Sequence, residues 1–261
     1  MATVAGAALG WGWFEAGWVR LRTLEVPVPE LPETLAGLRV VHLSDFHLGP
    51  PSRGQRAAER AVEWAASRDP DLVLITGDLV SHPRGEPLLR ALLEQLPHCY
   101  VILGNHDVES SRDPFSRAAG LSDLGPARLL VDEFETIELR GARVQIAGID
   151  PRTYRRGARP ERLVDTGADL RILLCHYPTV LDRVVPGTFQ LVLSGHMHDG
   201  QITVPYALGK VRLAHLNAPY WTGIYRREGT TMHVSAGLGT TFVPFRFFAR
   251  PEATELVLQR A

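Results

Sequence analysis

The stretch Leu38-Arg39-Val40-Val41-His42-Leu43-Ser44-Asp45-Phe46-His47 decides how this chain is read. Residues 38–43 form a strand-like apolar run, and a carboxylate and an imidazole follow just past its end. The same arrangement recurs four times. Residues 72–75 lead to Gly77-Asp78, and residues 100–103 to Gly104-Asn105-His106-Asp107. Residues 172–174 lead to Cys175-His176, and residues 191–193 to Gly195-His196-Met197-His198. In an open α/β sheet the loops at the carboxyl ends of the strands gather in one crevice, where ligands bind. Residues far apart in sequence therefore meet at one place. Carboxylate, amide oxygen and imidazole together suit borderline or hard divalent cations, so the pattern reads as a two-metal hydrolase.

Residues 55–66 have helical composition and begin after Pro51 and Ser52, a capping position. Strand, helix, strand then repeats through 71–75, 86–96 and 100–103, which predicts right-handed βαβ units in a mixed or parallel sheet. After residue 127 short β-like runs follow one another at 129–131, 136–139 and 143–149. A later set lies at 224–226, 231–234 and 255–258, with Arg227-Glu228-Gly229 as a hairpin turn. Upstream, residues 24–28 alternate like a strand, with Leu24, Val26 and Val28 on one face. Pro27 restricts that strand to a sheet edge.

The order Asp-x-His, Gly-Asp, Gly-Asn-His-Asp, His and Gly-His-x-His resembles the calcineurin-like metallophosphoesterase family over residues 45–198. The tail Gly-His-Met-His-Asp-Gly-Gln, with Val234-Ser235-Ala236-Gly237-Leu238-Gly239-Thr240 and Arg250-Pro251-Glu252, resembles its bacterial, often membrane-associated branch. That branch includes UDP-2,3-diacylglucosamine pyrophosphatases and usually reads Gly-His-Thr-His-Gly-Gly-Gln, so Met197 and Asp199 depart from it. The resemblance implies an α/β fold of two stacked mixed β-sheets flanked by helices, a four-layer sandwich. It implies two divalent ions (Mn, Fe or Zn) bridged by Asp78. Asp45, His47 and His198 would complete one site, and Asn105, His176 and His196 the other. It also makes His106 the catalytic proton donor.

The chemistry suits these residue types. Two cations about 3.5–4 Å apart need a ligand that reaches both, and a carboxylate has two oxygens for this. Alternation along an extended turn sends His196 and His198 to the same side. The implied reaction is attack of a metal-bound hydroxide on a phosphodiester or pyrophosphate bond. An imidazole with an unperturbed pKa near 6.5 is suited to protonate the leaving oxygen. Asp107 reads as a cap for a helix beginning at Glu109-Ser110-Ser111, with orientation of His106 as the alternative. Two other functions stay in view: a UDP-2,3-diacylglucosamine pyrophosphatase specifically, and a non-catalytic metal-binding scaffold. His42, His82, His98, His215 and His233 belong to no motif and default to structural roles.

A chain of 261 residues suits one large domain, here residues 37–261 after an N-terminal apolar segment and edge strand at 1–36. The net charge of -1 argues against a duplex nucleic-acid surface and leaves a lipid-linked or small nucleotide phosphate ester as substrate. Cys99 and Cys175 read as buried free thiols of a reducing compartment, which places the protein in the cytoplasm, peripheral to the membrane. Residues 1–14 carry no charged side chain but are too short to span, and their glycines weaken a helix. With Trp11, Trp13, Trp18, Arg20 and Arg22 nearby, the segment reads as an interfacial anchor, as a surface-packed segment, or as the remnant of a longer anchor. Arg152, Arg155, Arg156 and Arg159 form a basic loop, either solvated or in contact with an anionic substrate. The run Phe242-Val243-Pro244-Phe245-Arg246-Phe247-Phe248 reads as core strand or as lipid-facing rim.

Overall fold

The computed structural model describes residues 2–108, 111–207, 209–214 and 218–261. In chain order the elements are α1 (Ala2–Ala16), β1 (Arg20–Val28), β2 (Arg39–Leu43), α2 (Gly54–Ser67), β3 (Leu72–Ile75), α3 (Glu86–Leu93) and β4 (Cys99–Val101). Next come β5 (Arg128–Leu129), β6 (Glu133–Leu139), β7 (Ala142–Ile149), α4 (Pro151–Arg155), β8 (Leu170–Cys175) and β9 (Leu191–Ser194). The chain closes with β10 (Thr203–Tyr206), β11 (Gly209–Arg212), β12 (Gly223–Arg227), β13 (Thr230–Val234) and β14 (Glu252–Arg260).

Twelve of these strands make two six-stranded mixed sheets, ordered β1-β14-β2-β3-β4-β5 and β12-β13-β9-β8-β7-β6. Period-2 alternation of apolar residues explains why the sheets stack. From the first sheet Val40, Leu72, Leu74 and Leu256 face the layer between the sheets, where Ile146, Ile172, Leu174 and Leu193 meet them from the second. The intervening residues Val41, Leu43, Val73 and Ile75 point outward and pack on Ala58, Ala61 and Val62 of α2 and Leu89 and Leu92 of α3. On the far face Ala147, Leu173, Val192 and Met232 pack on Tyr154 of α4 and on Val180 and Leu181 in a short turn. Both sheets are thus buried on both faces, the four-layer arrangement expected from the motifs.

Parallel pairing of β2, β3 and β4 brings the carboxyl ends of three strands to one edge. Parallel pairing of β7, β8 and β9 does the same in the second sheet. β1 lies at an edge, paired in parallel with β14 along its length, with Pro27 opposite Gln259. The helix predicted at 55–66 begins at Gly54, whose N–H donates to Ser52 Oγ at 3.1 Å.

Two expectations change. The glycines of the N-terminal segment do not prevent a helix: α1 runs for 15 residues. Gly12 explains part of this, because a Cβ there would lie 2.4 Å from Phe247 Cζ, so the aromatic ring packs directly on the helix backbone. Secondly, residues 242–248 are not a core strand. They form an irregular loop with Phe242, Val243 and Phe248 exposed and Arg246 wholly buried. In addition, β10 and β11 form a hairpin not expected from the sequence, with Pro205 opposite Lys210. Among the described residues no helix is long and apolar enough to cross a membrane.

Candidate metal centre

All five strand-end segments converge. Asp45 and His47 follow β2, Asp78 follows β3, Asn105 and His106 follow β4, His176 follows β8, and His196 and His198 follow β9. Their ligand atoms form two clusters that share Asp78. His47 Nε2 lies 3.1 Å from His198 Nε2 and 3.4 Å from Asp78 Oδ2, and His198 Nε2 lies 3.5 Å from Asp45 Oδ1. In the second cluster His176 Nε2 lies 3.2 Å from Asp78 Oδ2, 3.0 Å from Asn105 Oδ1 and 3.1 Å from His196 Nδ1.

The backbone at this centre is strained. Asp45, His47, Asp78, His196 and His198 all have φ between 46° and 72°, the left-handed region that non-glycine residues seldom enter. Such strain persists where surrounding structure over-determines it, and it concentrates at functional sites. Two glycines permit the close approach. A Cβ on Gly104 would meet Asp78 Oδ1 at 2.1 Å, and one on Gly195 would meet Asp45 Oδ2 at 2.3 Å.

Hydrogen bonds fix the rings. His176 Nδ1 lies 2.8 Å from the Thr76 carbonyl, and His47 Nδ1 lies 2.7 Å from Ser81 Oγ. Each contact turns the Nε2 of its ring toward the cluster, the arrangement that ligating histidines use. Burial, with the neighbouring imidazoles, holds His47 and His198 well below the usual imidazole range, so both are neutral and able to ligate. Burial pushes Asp45 up to about 6, helped by the charge of Asp78 and opposed by His176. Burial also opposes ionisation of Asp78, but His176 and His106 outweigh it and hold that carboxyl well below its ordinary value. His176 is pushed up to about 9, since Asp78 and Asp45 overcome the effect of burial.

The donor set fits two divalent cations. Acidic and imidazole groups with converging lone pairs are desolvated together, and lone pairs 3.0–3.5 Å apart need protons or a cation between them. Asp45, His47 and His198 form one cluster and Asp78, His176 and His196 another, with His106 grouped beside His47 and Asp78.

His106 sits at the wall of a cleft of about 400 Å³ that also exposes Asp78, Asn105, His196 and His198. Its Nδ1 lies 3.0 Å from Ser116 Oγ and its Nε2 3.0 Å from Ser111 Oγ. The helix start that Asp107 is expected to cap falls at residues 109 and 110, outside the described residues, and the Asp107 carboxylate is turned to the backbone, not to the His106 ring. Its carboxylate accepts the backbone N–H groups of Gly104, Leu79 and Val80 and ties the loops after β3 and β4 together. Glu109 and Ser110 lie outside the described residues, as does His215.

The basic loop divides. Arg155 lines the cleft, Arg152 pairs with Asp150 at 2.8 Å, and Arg156 and Arg159 line a separate groove. Asp199, which departs from the usual glycine, adopts a left-handed φ of 49° and is held by ion pairs to Lys210 and Arg212 on β11. Asp is among the few residues that tolerate that conformation. Both cysteines are buried and free.

Arg246 was missed. Its guanidinium is wholly buried, donates to the carbonyls of Ala236, Gly237, Gly239 and Ala249, and lies 3.0 Å from His198 Nδ1. It is thus a donor placed where ligating histidines ordinarily meet an acceptor. The one available sequence signal is a charge inside an otherwise aromatic and apolar run.

Known proteins resemble this chain along most of its length. A zebrafish (Danio rerio) protein named transmembrane protein with metallophosphoesterase domain is 32% identical over 259 residues, covering 91% of this chain and 57% of that protein. The chain therefore spans a little over half of that relative. The Bacillus subtilis protein named uncharacterized metallophosphoesterase YkuE is 27% identical over 268 residues, covering 99% of this chain and 92% of the relative. The solved structure of Haemophilus influenzae NAD nucleotidase is 14% identical and covers 77% of this chain and 45% of that one, with a TM-score of 0.46. Residues 38–200, which hold every predicted site residue, match the family model described as calcineurin-like phosphoesterase, and the chain belongs to that family.

Proposed function

We propose that the protein is a metal-dependent phosphoesterase that hydrolyses a phosphodiester or pyrophosphate bond. One observation carries this reading: two buried donor clusters share Asp78 Oδ2 at the floor of a cleft, and His106 stands beside them. Asp45, His47, Asp78 and His198 would hold one cation, and Asp78, Asn105, His176 and His196 the other. The cations supply charge neutralisation at phosphate oxygens and acidify a nearby water. Mn, Fe and Zn all suit this donor set.

The chain's own residues supply the rest. His106 protonates the departing oxygen, with Ser116 at its Nδ1 setting the ring orientation. Arg155 and Tyr177 line the same cleft, so the phosphate enters past a cation and an aromatic wall. A non-catalytic scaffold has no use for an imidazole in this position, which favours turnover.

The surface near the cleft favours a substrate held at a membrane. Trp11, Trp13 and Phe14 of α1 are exposed, and the loop that packs on α1 through Phe245 and Phe247 exposes Phe242, Val243 and Phe248, with Phe242 also lining the cleft. Arg53 lies over the Phe14 ring and Arg250 over Trp18, which packs on Trp11 and Phe14. Indole rings at headgroup level with flanking arginines suit peripheral contact with an anionic bilayer.

The test is one panel with Mn added: a bis-aryl phosphodiester, an aryl phosphate monoester, single-stranded DNA and UDP-2,3-diacylglucosamine. Turnover of the diester or the pyrophosphate supports the reading. Preference for the last compound identifies a UDP-2,3-diacylglucosamine pyrophosphatase. Activity on the monoester alone, or none on any member, overturns the proposed bond class.

A further inference from the structure

The layer between the sheets is lined mainly by Leu, Ile and Val, and within it His42 of β2 faces His233 of β13. Both imidazoles are wholly buried, with Nδ1 atoms 2.8 Å apart. His42 Nε2 lies 2.9 Å from Thr76 Oγ1, and Thr76 Oγ1 donates to Ser44 Oγ at 2.7 Å. The Ser44 hydroxyl in turn hydrogen-bonds the Asp45 carboxylate. Four side chains thus lead from the far sheet to one residue of the metal centre.

Donor counting fixes the direction of every link. The Asp45 carboxylate only accepts, so Ser44 donates to it and takes the Thr76 proton at its own oxygen. Thr76 Oγ1, with its hydrogen committed, accepts from His42 Nε2–H. Burial keeps both imidazoles neutral, lowering His42 well below its usual range and His233 to about 4, so each ring carries one N–H. His42 Nδ1 is then an acceptor and His233 Nδ1–H its donor. That leaves His233 Nε2 as a bare lone pair, and this atom is a buried polar atom without a partner.

An aliphatic pair would fill this layer without leaving a buried nitrogen unpartnered. The polar pair therefore needs a reason outside packing. We propose that Ser44, Thr76, His42 and His233 form a one-way hydrogen-bond relay that holds the Asp45 carboxylate in register for its cation, making His42 and Thr76 positioning residues. Ser44 Oγ and Asp45 Oδ2 both crowd the space beside Gly195, which leaves Oδ1 facing His198 at 3.5 Å and His47 at 3.9 Å. The inference rests on the reading of Asp45 as a metal ligand.

Thr76→Val removes the central hydroxyl without changing shape and spares the Thr76 carbonyl that holds His176, while Thr76→Ser keeps the hydroxyl. Dissociation constants for Mn²⁺ are measured on the full chain by competition with a chromophoric chelator, alongside unfolding temperatures in EDTA. Loss of a partner behind a ligand weakens metal binding about 10–100-fold, so Thr76→Val loosens one of two ions by that factor and Thr76→Ser stays near wild type. Equal affinities in Thr76→Val and wild type overturn the relay. Long-range ¹H–¹⁵N correlations of the wild-type imidazoles supply an independent readout. At pH 7.5 His42 carries its proton on Nε2 and His233 on Nδ1; the opposite tautomers, or a charged ring, overturn the relay even if Thr76→Val does not fold. If wild type binds no Mn²⁺, the metal reading fails while the tautomers still decide the relay.

Discussion

Asp78 Oδ1 accepts the backbone N–H of His106 at 2.8 Å, tying the shared carboxylate to the residue proposed as proton donor. One of the two oxygens is therefore committed to the backbone. Only Oδ2 faces both donor clusters, 3.4 Å from His47 Nε2 and 3.2 Å from His176 Nε2. In the reading of Asp78 as the bridge, Oδ2 is the oxygen that faces both clusters, while Oδ1 holds the backbone of His106.

Asp78→Asn is expected to abolish binding of the metal pair. An amide presents one neutral oxygen, and its NH₂ group would repel either the His106 N–H or the cations. Elemental analysis of the loaded protein checks this. Two ions per chain in wild type and fewer than one in the variant is the expected result; two in the variant refutes the bridge.

His106→Ala is expected to keep both ions and lose rate by about 10²–10⁴-fold on substrates with poor leaving groups. Aryl phosphates leave without protonation and should suffer less. Equal losses on the two substrate types would mean that His106 acts by positioning. Because its backbone N–H holds Asp78, the alanine variant leaves that contact in place.

Metal binding should release protons in a pH-dependent way. At pH 7.5 Asp45, near 6, is already ionised, whereas His176, near 9, still carries a proton that a ligand must lose. Calorimetry in buffers of different ionisation enthalpy should therefore read about one proton released at pH 7.5 and about two at pH 5.5, where Asp45 is protonated as well. Affinity then falls as pH drops, more steeply below 6. No proton release at pH 7.5 would exclude the charged His176.

Trp11→Glu with Phe14→Glu should reduce co-sedimentation with anionic vesicles at low salt while leaving hydrolysis of a soluble diester unchanged. Both side chains are half-exposed, whereas deleting the segment would also remove Glu15, whose carboxylate accepts the Ala249 N–H, and the Gly12 carbonyl that accepts from Arg246. Wild-type protein that ignores such vesicles would assign α1 a purely structural role.

The sequence by itself placed the strands and the candidate ligands at their ends, and its resemblance to the family implied the sandwich. Continuous apolar runs such as Val40-Val41 and Leu72-Val73-Leu74-Ile75 state that both faces of a strand are buried, and each run is followed locally by its candidate site side chain. Strand-end chemistry is a short-range property, so the segments around Asp45, Asp78, Asn105, His176 and His196 could be read one at a time. Tertiary structure decided what depends on segments meeting across separations of 28 to 191 residues. It commits one oxygen of Asp78 to His106, buries Arg246 behind His198, and sets His42 against His233 between the sheets. It also makes Asp107 a clasp between loops, and builds a helix from a glycine-rich segment by packing Phe247 on Gly12. A hydrogen bond between distant residues leaves no periodic trace in the chain, because its partners are chosen by sheet register and burial and not by neighbouring residues.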